Sequence, residues 1–175
     1  MTVTEDVQIR QLDAAEAREH LDALAAVIVD CVEGGASVSY LAPFSLDDAR
    51  DALEPMIADA ERGGRLLFAA FLDGEVVGTV QLLLAFPPNQ PHRGEIAKML
   101  VHRRARSRGI GQLLMERAEQ AAKDAGKTLL VLDTANGTAA RLYERCGWTR
   151  VGEIPGFALY PDGSPCATVF YFKEI

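Results

Sequence analysis

The sequence predicts an α/β (α+β) fold in which about four helices cover a mixed sheet of about seven strands, and three observations lead to it. Two strand-like runs, Arg65 to Leu72 and Glu75 to Phe86, flank Asp73-Gly74, a two-residue turn signal that makes them a hairpin. Ile110 to Ala125 keeps one apolar helical stripe and stops at Gly126. Around these two anchors the remaining patterns fall into the order βααβββαβαββ.

The elements follow in order. Val7 to Leu12 alternates, with Val7 and Ile9 against Gln8 and Arg10, and reads as the first strand. Glu16 to Cys31 reads as one helix with Leu21, Leu24, Ala25 and Ile28 on a shared face. Ser45 is positioned to cap a second helix that runs through Arg62, with Asp48 as its capping-box partner and Gly63-Gly64 as its end. Pro55 is expected to kink or divide that helix. After the hairpin, the proline-rich stretch from Pro87 to Pro91 breaks the sheet, and Glu95 to Val101 resumes it. Thr128 to Leu132 is a short apolar run of the kind buried on both faces of a sheet. Asn136 is expected to cap a helix to Cys146 that Gly147 ends, and strands at Thr149 to Ile154 and Ala167 to Lys173 close the chain. No linker or repeat interrupts this order, so residues 1–175 read as a single domain.

Composition narrows the function. Hydrophobic residues make up 49% of the chain, enough for a core, and the net charge is −7, from 18 basic and 25 acidic residues. That balance argues against nucleic acid or an anionic membrane as partner. Three cysteines without CxxC spacing, and three scattered histidines, predict neither a disulfide framework nor a metal site. The polar, acidic start does not read as a signal peptide, and the apolar runs are too short to span a bilayer. Cytoplasmic localisation is the expectation.

The most informative stretch is Val101 to Gly111, which joins a strand directly to an amphipathic helix. A helix N-terminus presents unpaired N–H groups and partial positive charge. Gly109 and Gly111 leave the backbone bare, so a pyrophosphate can approach those groups, and Arg103, Arg104, Arg106 and Arg108 add charge nearby. The competing reading is a solvated basic loop with Ser107 as an ordinary cap. Neither the P-loop nor the GxGxxG dinucleotide spacing is present.

Arg106-Ser-Arg-Gly109-Ile-Gly111 resembles the R/Q-x-x-G-x-G/A acetyl-CoA signature of the GNAT family of N-acetyltransferases. Asn136-Gly-Thr-Ala139-Ala-Arg-Leu142-Tyr143-Glu-Arg-Cys-Gly147-Trp148 resembles the family's N-x-x-A-x-x-L-Y-x-x-x-G-F pattern, with Trp148 in place of Phe. The stretches His92 to Val101 and Leu130 to Thr134 also resemble tabtoxin-resistance-type members. The likeness covers about Arg65 to Ile175.

The resemblance implies a mostly antiparallel sheet that splays between its fourth and fifth strands. Acetyl-CoA is the implied co-substrate. Its pantetheine arm would pair with Met99, Leu100 and Val101, and its pyrophosphate would lie on the amides of Arg106, Ser107, Arg108, Gly109, Ile110 and Gly111. The acceptor would be an amine, more readily a small molecule than a peptide, and homodimers are common in the family. An ammonium cannot attack a thioester, so a base is required. Glu95 resembles the catalytic glutamate of histone-acetylating members, against a plain strand-start carboxylate. Asp133 is the second candidate, against a turn residue. Tyr143 occupies the family's acid position beside the thioester sulfur, although Ala139, Leu142, Tyr143 and Cys146 also form a core stripe. Asn136 is a helix cap, a CoA contact, or both. His102 is a phosphate contact or a loop histidine, and His92 is an acceptor-site residue or a loop histidine. A non-catalytic acyl-CoA-binding domain of the same fold is the alternative function.

Overall fold

The structure, a computed structural model, describes residues 7–135 and 137–175. Its elements are β1 (Val7–Leu12), α1 (Ala14–Glu19), α2 (Leu21–Glu33), α3 (Leu46–Glu61), β2 (Arg65–Leu72), β3 (Glu75–Leu83), β4 (Arg93–Val101), α4 (Ile110–Asp124), β5 (Leu129–Ala135), α5 (Thr138–Arg145), β6 (Thr149–Leu159) and β7 (Pro165–Glu174). The strands form one seven-stranded sheet in the order β1-β2-β3-β4-β5-β7-β6. Every neighbouring pair is antiparallel except β4 and β5. This is the mixed, mostly antiparallel architecture the sequence predicts.

Helices cover both faces because the central strands are apolar on both. Along β2, Phe68 and Ala70 enter a core beneath α4 and α5, while Leu67, Ala69 and Phe71 enter a second core beneath α1, α2 and α3. Strand alternation delivers one side chain to each layer in turn. At roughly 1.5–3 kcal/mol per fully buried large apolar side chain, these two cores supply the main force for folding.

Several boundaries differ from the sequence reading, each for a local reason. The first helical segment is two helices. Asp13 accepts from the Glu16 amide at 2.8 Å and Glu16 accepts from the Asp13 amide at 3.1 Å, so a capping box starts α1 before Glu16. The backbone leaves helical geometry at His20, whose ring packs edge-on to Phe71 at 5.2 Å, and α2 starts afresh at Leu21. The Ser45–Asp48 capping box forms as expected, but Pro55 does not divide α3, which runs continuously. Ala49, Leu53 and Ile57 pin that helix to the core on both sides of the proline. β3 ends at Leu83 because the amides of Leu84 and Ala85 turn away to the carbonyl of Gly64. β6 extends to Leu159, past Pro155, and a proline is tolerated there because β6 is the sheet edge and its register slips between Ile154 and Ala158.

The sheet opens at its centre. β4 and β5 pair only at Arg93–Leu129, Gly94–Leu130 and Glu95–Val131. Beyond that point β4 runs to Val101 and β5 to Ala135 without meeting. A bulge accompanies the parting: the β3–β4 register slips from Thr79–Leu100 to Gln81–Ala97, and Lys98 takes a left-handed φ of +49°. No helix among the described residues is long and apolar enough to cross a membrane.

Candidate active site

The gap between β4 and β5 holds a cavity of about 1160 Å³ that reaches both faces of the sheet. Toward α4 and α5 it is lined by Gly109, Gly111, Gln112, Thr138, Leu142 and Tyr143. Toward the opposite face it is lined by Ser37 to Leu41, Lys98 and Phe157 to Tyr160. Asp133 and Thr134 of β5 stand between the two ends.

The α4 end is built from backbone. Gly109 is the N-cap of α4, with φ +77°, and being glycine it has no side chain to cap the helix. The first-turn amides therefore keep their hydrogens for a ligand. Ser107 is left-handed as well, at φ +63°, and left-handed residues in a tight turn draw successive amides into one concavity. Much of the basic run is already engaged. Arg103 donates to Asp30 through its backbone amide at 2.7 Å and its Nε at 2.9 Å, and Arg104 pairs with Glu75 at 2.7 Å. Arg106 Nε donates to the Val101 carbonyl at 3.0 Å. These arginines fasten the loop to α2, β3 and the end of β4, so the cradle rests on amides more than on guanidinium groups. His102 accepts from the Arg104 amide at 3.3 Å and faces Asp30 at 3.5 Å, which gives it a structural place in the same turn.

Gly111 has a packing role that the sequence does not announce. A Cβ there would lie 2.9 Å from Leu142 Cδ2, so the bare position also lets α4 and α5 approach. Ile110 is buried in the core below, and Arg108 is exposed on the loop.

Along the gap, β4 is an open strand edge inside the protein. Past Glu95 its backbone has no partner on the β5 side. Such an edge pairs readily with an extended amide-bearing chain. Met99, Leu100 and Val101 all line the cavity, although the Val101 carbonyl already accepts from Arg106 and from the Cys31 thiol at 3.6 Å.

Tyr143 projects from α5 into the gap and is 5% exposed, packed near Trp148 and Tyr171. Burial, with Asp133 adding to it, pushes its phenol well above the ordinary tyrosine value. That shift favours the protonated hydroxyl, the form able to donate a hydrogen bond. Tyr143 belongs to the core and also lines the cavity.

The two candidate carboxylates part company. Asp133 is exposed on the cavity wall. Glu95 lies at the closed end of the split, opposite Val131 in the ladder, with Arg93 at 3.4 Å, and it is not part of the lining. Asn136 lies outside the described residues, and the N-cap of α5 is Gly137. Cys146 is half-buried beside the core. Among the described residues no three His, Cys, Asp or Glu side chains gather as a metal set.

No sequence motif marks the Ser37 to Leu41 wall at the far end of the cavity. The segment after α2 reaches across the gap: Ser37 Oγ donates to the Leu159 carbonyl at 2.7 Å, and the Ala42 amide donates to the Pro161 carbonyl at 2.8 Å. Tyr40 stacks on Phe44 at 4.3 Å, and Phe157 packs edge-on to Phe170 at 5.5 Å. The Ser37–Leu159 and Ala42–Pro161 bonds join segments about 120 residues apart, and no local pattern encodes them.

Comparison with known proteins adds two findings. The model of the acetyltransferase (GNAT) family matches residues 36–148, more than half of the chain. Solved structures share the fold across nearly the whole length. An N-acetyltransferase from Staphylococcus aureus Mu50 is 21% identical, with a TM-score of 0.79 over 97% of this chain and 98% of its own. A ribosomal-protein-alanine N-acetyltransferase from Brucella melitensis is 24% identical, with a TM-score of 0.78 over 96% and 99%. A protein from Salmonella typhimurium, solved with its cofactor acetyl-CoA, is 20% identical, with a TM-score of 0.77 over 96% and 93%.

Proposed function

The chain belongs to the acetyltransferase (GNAT) family, and from that premise we propose that it moves an acetyl group from acetyl-CoA directly to the amine of a small molecule. One observation carries this reading: a single cavity connects the uncapped N-terminus of α4 to an aromatic-walled end on the other face of the sheet, past Tyr143 and Asp133. The first end suits a pyrophosphate, the open edge of β4 suits the two amides of pantetheine, and the second end suits a compact acceptor with an apolar body.

In this reading the pyrophosphate rests on the amides from Arg106 to Gly111, with Ser107, Arg108, Gly109 and Ile110 forming the turn between. Pantetheine lies along Met99, Leu100 and Val101, and Asn136 is a further contact at the mouth of α5. Asp133 draws the acceptor's ammonium toward the gap by charge. Glu95 stands at the closed end of the split, outside the cavity lining, so it could reach the amine only through ordered water. After the amine attacks the thioester carbonyl, the carbon–sulfur bond breaks and Tyr143 donates a hydrogen bond to the departing thiolate. A phenol pushed this far up holds its proton against a thiolate of ordinary basicity, about 8.5, so it stabilises that charge and leaves protonation to solvent or to the departing amine proton. The chain acts in this reading as one domain over residues 1–175, in the cytoplasm, where its three free cysteines stay reduced, and sedimentation of the free chain tests for a homodimer.

Calorimetry with acetyl-CoA, followed by a thiol-release assay over amines, amino acids, polyamines and peptides, tests the proposal. Binding with amine-dependent thiol release supports it. Binding without release for any amine makes the chain an acyl-CoA-binding domain instead, and release with peptides alone removes the small-molecule acceptor.

A further inference from the structure

Among the described residues, four other than glycine take left-handed φ: Ser39 at +85°, Asp73 at +50°, Lys98 at +49° and Ser107 at +63°. Such residues cost energy and persist where the surrounding structure holds them. Asp73 belongs to the β2–β3 turn and Ser107 to the phosphate cradle. The other two lie 59 positions apart in the chain and meet in the cavity, with Ser39 Oγ 2.6 Å from Lys98 Nζ.

The bulge in β4 makes the meeting possible. With Lys98 left-handed, its stem passes among Leu24, Ile28, Leu53 and Leu67 on the α2–α3 side, while Met99 packs against the opposite core. The head of Lys98 emerges into the cavity among neutral partners: Ser39 Oγ, the Val38 carbonyl at 3.4 Å, and the ring of Tyr40, 5.4 Å from its centroid. Two charged groups face it, Asp133 from β5 and Arg65 from β2. Lys98 thus sits on the wall of the acceptor end, where Glu95 does not reach.

We propose that Ser39 and Lys98 form a proton-accepting pair for the acceptor amine, with Ser39 as the hydroxyl that touches the amine and Lys98 as the group that receives its proton. This inference rests on the transferase reading above. The acceptor ammonium gives one proton to Ser39 Oγ as the Ser39 hydroxyl proton passes to Lys98 Nζ, leaving a neutral amine and a lysine ammonium. The amine nitrogen then forms its bond to the acetyl carbon, the carbon–sulfur bond breaks, and a second amine proton accompanies the thiolate. Lys98 returns its proton to solvent. A serine hydroxyl beside a lysine is a workable relay because the neutral amine accepts where an ammonium only donates. Burial, helped by Arg65 and opposed by Asp133, pushes Lys98 below the ordinary lysine value and toward that neutral form.

The test uses the full chain with acetyl-CoA and phenethylamine as probe, an amine whose ring matches the aromatic wall. Lys98→Met keeps the stem packing and removes the nitrogen. Its kcat/KM should fall by about 10²-fold at neutral pH and recover as pH rises and free amine becomes available, with acetyl-CoA affinity unchanged. Lys98→Arg should be equally slow, because a guanidinium keeps its proton. Ser39→Ala should show the same pH-dependent defect in milder form. Near-normal rate in Lys98→Arg, or a loss in Lys98→Met that is the same at every pH, overturns the proposal. A second measurement needs no acceptor: NMR titration of Lys98 Nζ in chain labelled at lysine. A midpoint below about 10.4 supports the pair, and a midpoint at or above it overturns the pair whatever the transfer assay gives. Wild-type chain that binds no acetyl-CoA overturns the transferase reading, and the pair's role with it.

Discussion

The two ends of the cavity are built by opposite means. At the α4 end the free groups are backbone amides, held by left-handed Ser107 and Gly109 within one continuous segment. At the acceptor end they are side chains, brought together by Ser37–Leu159, Ser39–Lys98 and Ala42–Pro161 contacts between three distant parts of the chain. In the proposed reading, a surface made of amides recognises what every acetyl-CoA presents. A surface made of side chains from separate loops is free to change with the acceptor. The shared half of the reaction is therefore local in sequence, and the individual half is not.

The sharpest way to break this comparison is at Tyr143, where the ends meet. Tyr143→Phe keeps the packing against Trp148 and Tyr171 and removes only the hydroxyl, so kcat should fall by about 10²-fold or more with melting temperature and acetyl-CoA affinity unchanged. The defect should shrink with an acyl donor whose thiol is more acidic. A normal kcat would return Tyr143 to the core alone.

The α4 end is sharpened at Gly111. Gly111→Asp should weaken acetyl-CoA binding by about tenfold or more, since it sets negative charge beside the phosphate site. Gly111→Ala only crowds the flexible end of Leu142 and should cost modest stability with most affinity kept. Equal losses of affinity in calorimetry would make Gly111 a packing position and nothing else.

The carboxylates give the next effect. Asp133→Asn should raise KM for the acceptor several-fold, and Glu95→Gln should change turnover less, because only Asp133 lines the cavity. The reverse order in steady-state kinetics would restore Glu95 as the base. Phe157→Ala should alter the ranking of acceptors while acetyl-CoA affinity holds, and a uniform loss across acceptors would deny the aromatic wall a part in selection.

The smallest effect is on stability. A lysine whose value is lowered in the fold holds its proton less well there than in the unfolded chain. Folding is therefore penalised below the folded value and gains stability as pH rises from it toward the unfolded value of about 10.4. Lys98→Met escapes that penalty, so its stability relative to wild type should be greatest near neutral pH and decline as pH rises. A difference that does not vary with pH in thermal unfolding would show Lys98 to titrate alike in both states.

Much of the frame was legible because it is periodic. β1 matches its alternation reading and β2 the strand read beside the Asp73-Gly74 turn, both end to end, and Ser45 with Asp48 caps α3 as the spacing implies. The cap that starts α1, Asp13 with Glu16, carried the same signal and passed unread. Pro55 went the other way: its local penalty is real, but burial of Ala49, Leu53 and Ile57 outweighs it. In the site, Gly109, Tyr143 and Asp133 were found from their places in local motifs, and all three line the cavity. Lys98 was invisible as a site residue, because in a strand read as regular the bulge that turns it toward the acceptor end does not exist.

The sequence alone determined the order of elements, the strand-to-helix turn with its bare glycines, and the apolar faces that make a two-layered core, since each depends on neighbours within a turn or two of chain. The tertiary structure decided where β4 and β5 part, that Arg103, Arg104 and Arg106 brace the loop, that Glu95 falls at the closed end, and that Ser39 meets Lys98. Those outcomes depend on strand register and on loops that close over the gap, where one residue of slip reverses the face a side chain presents.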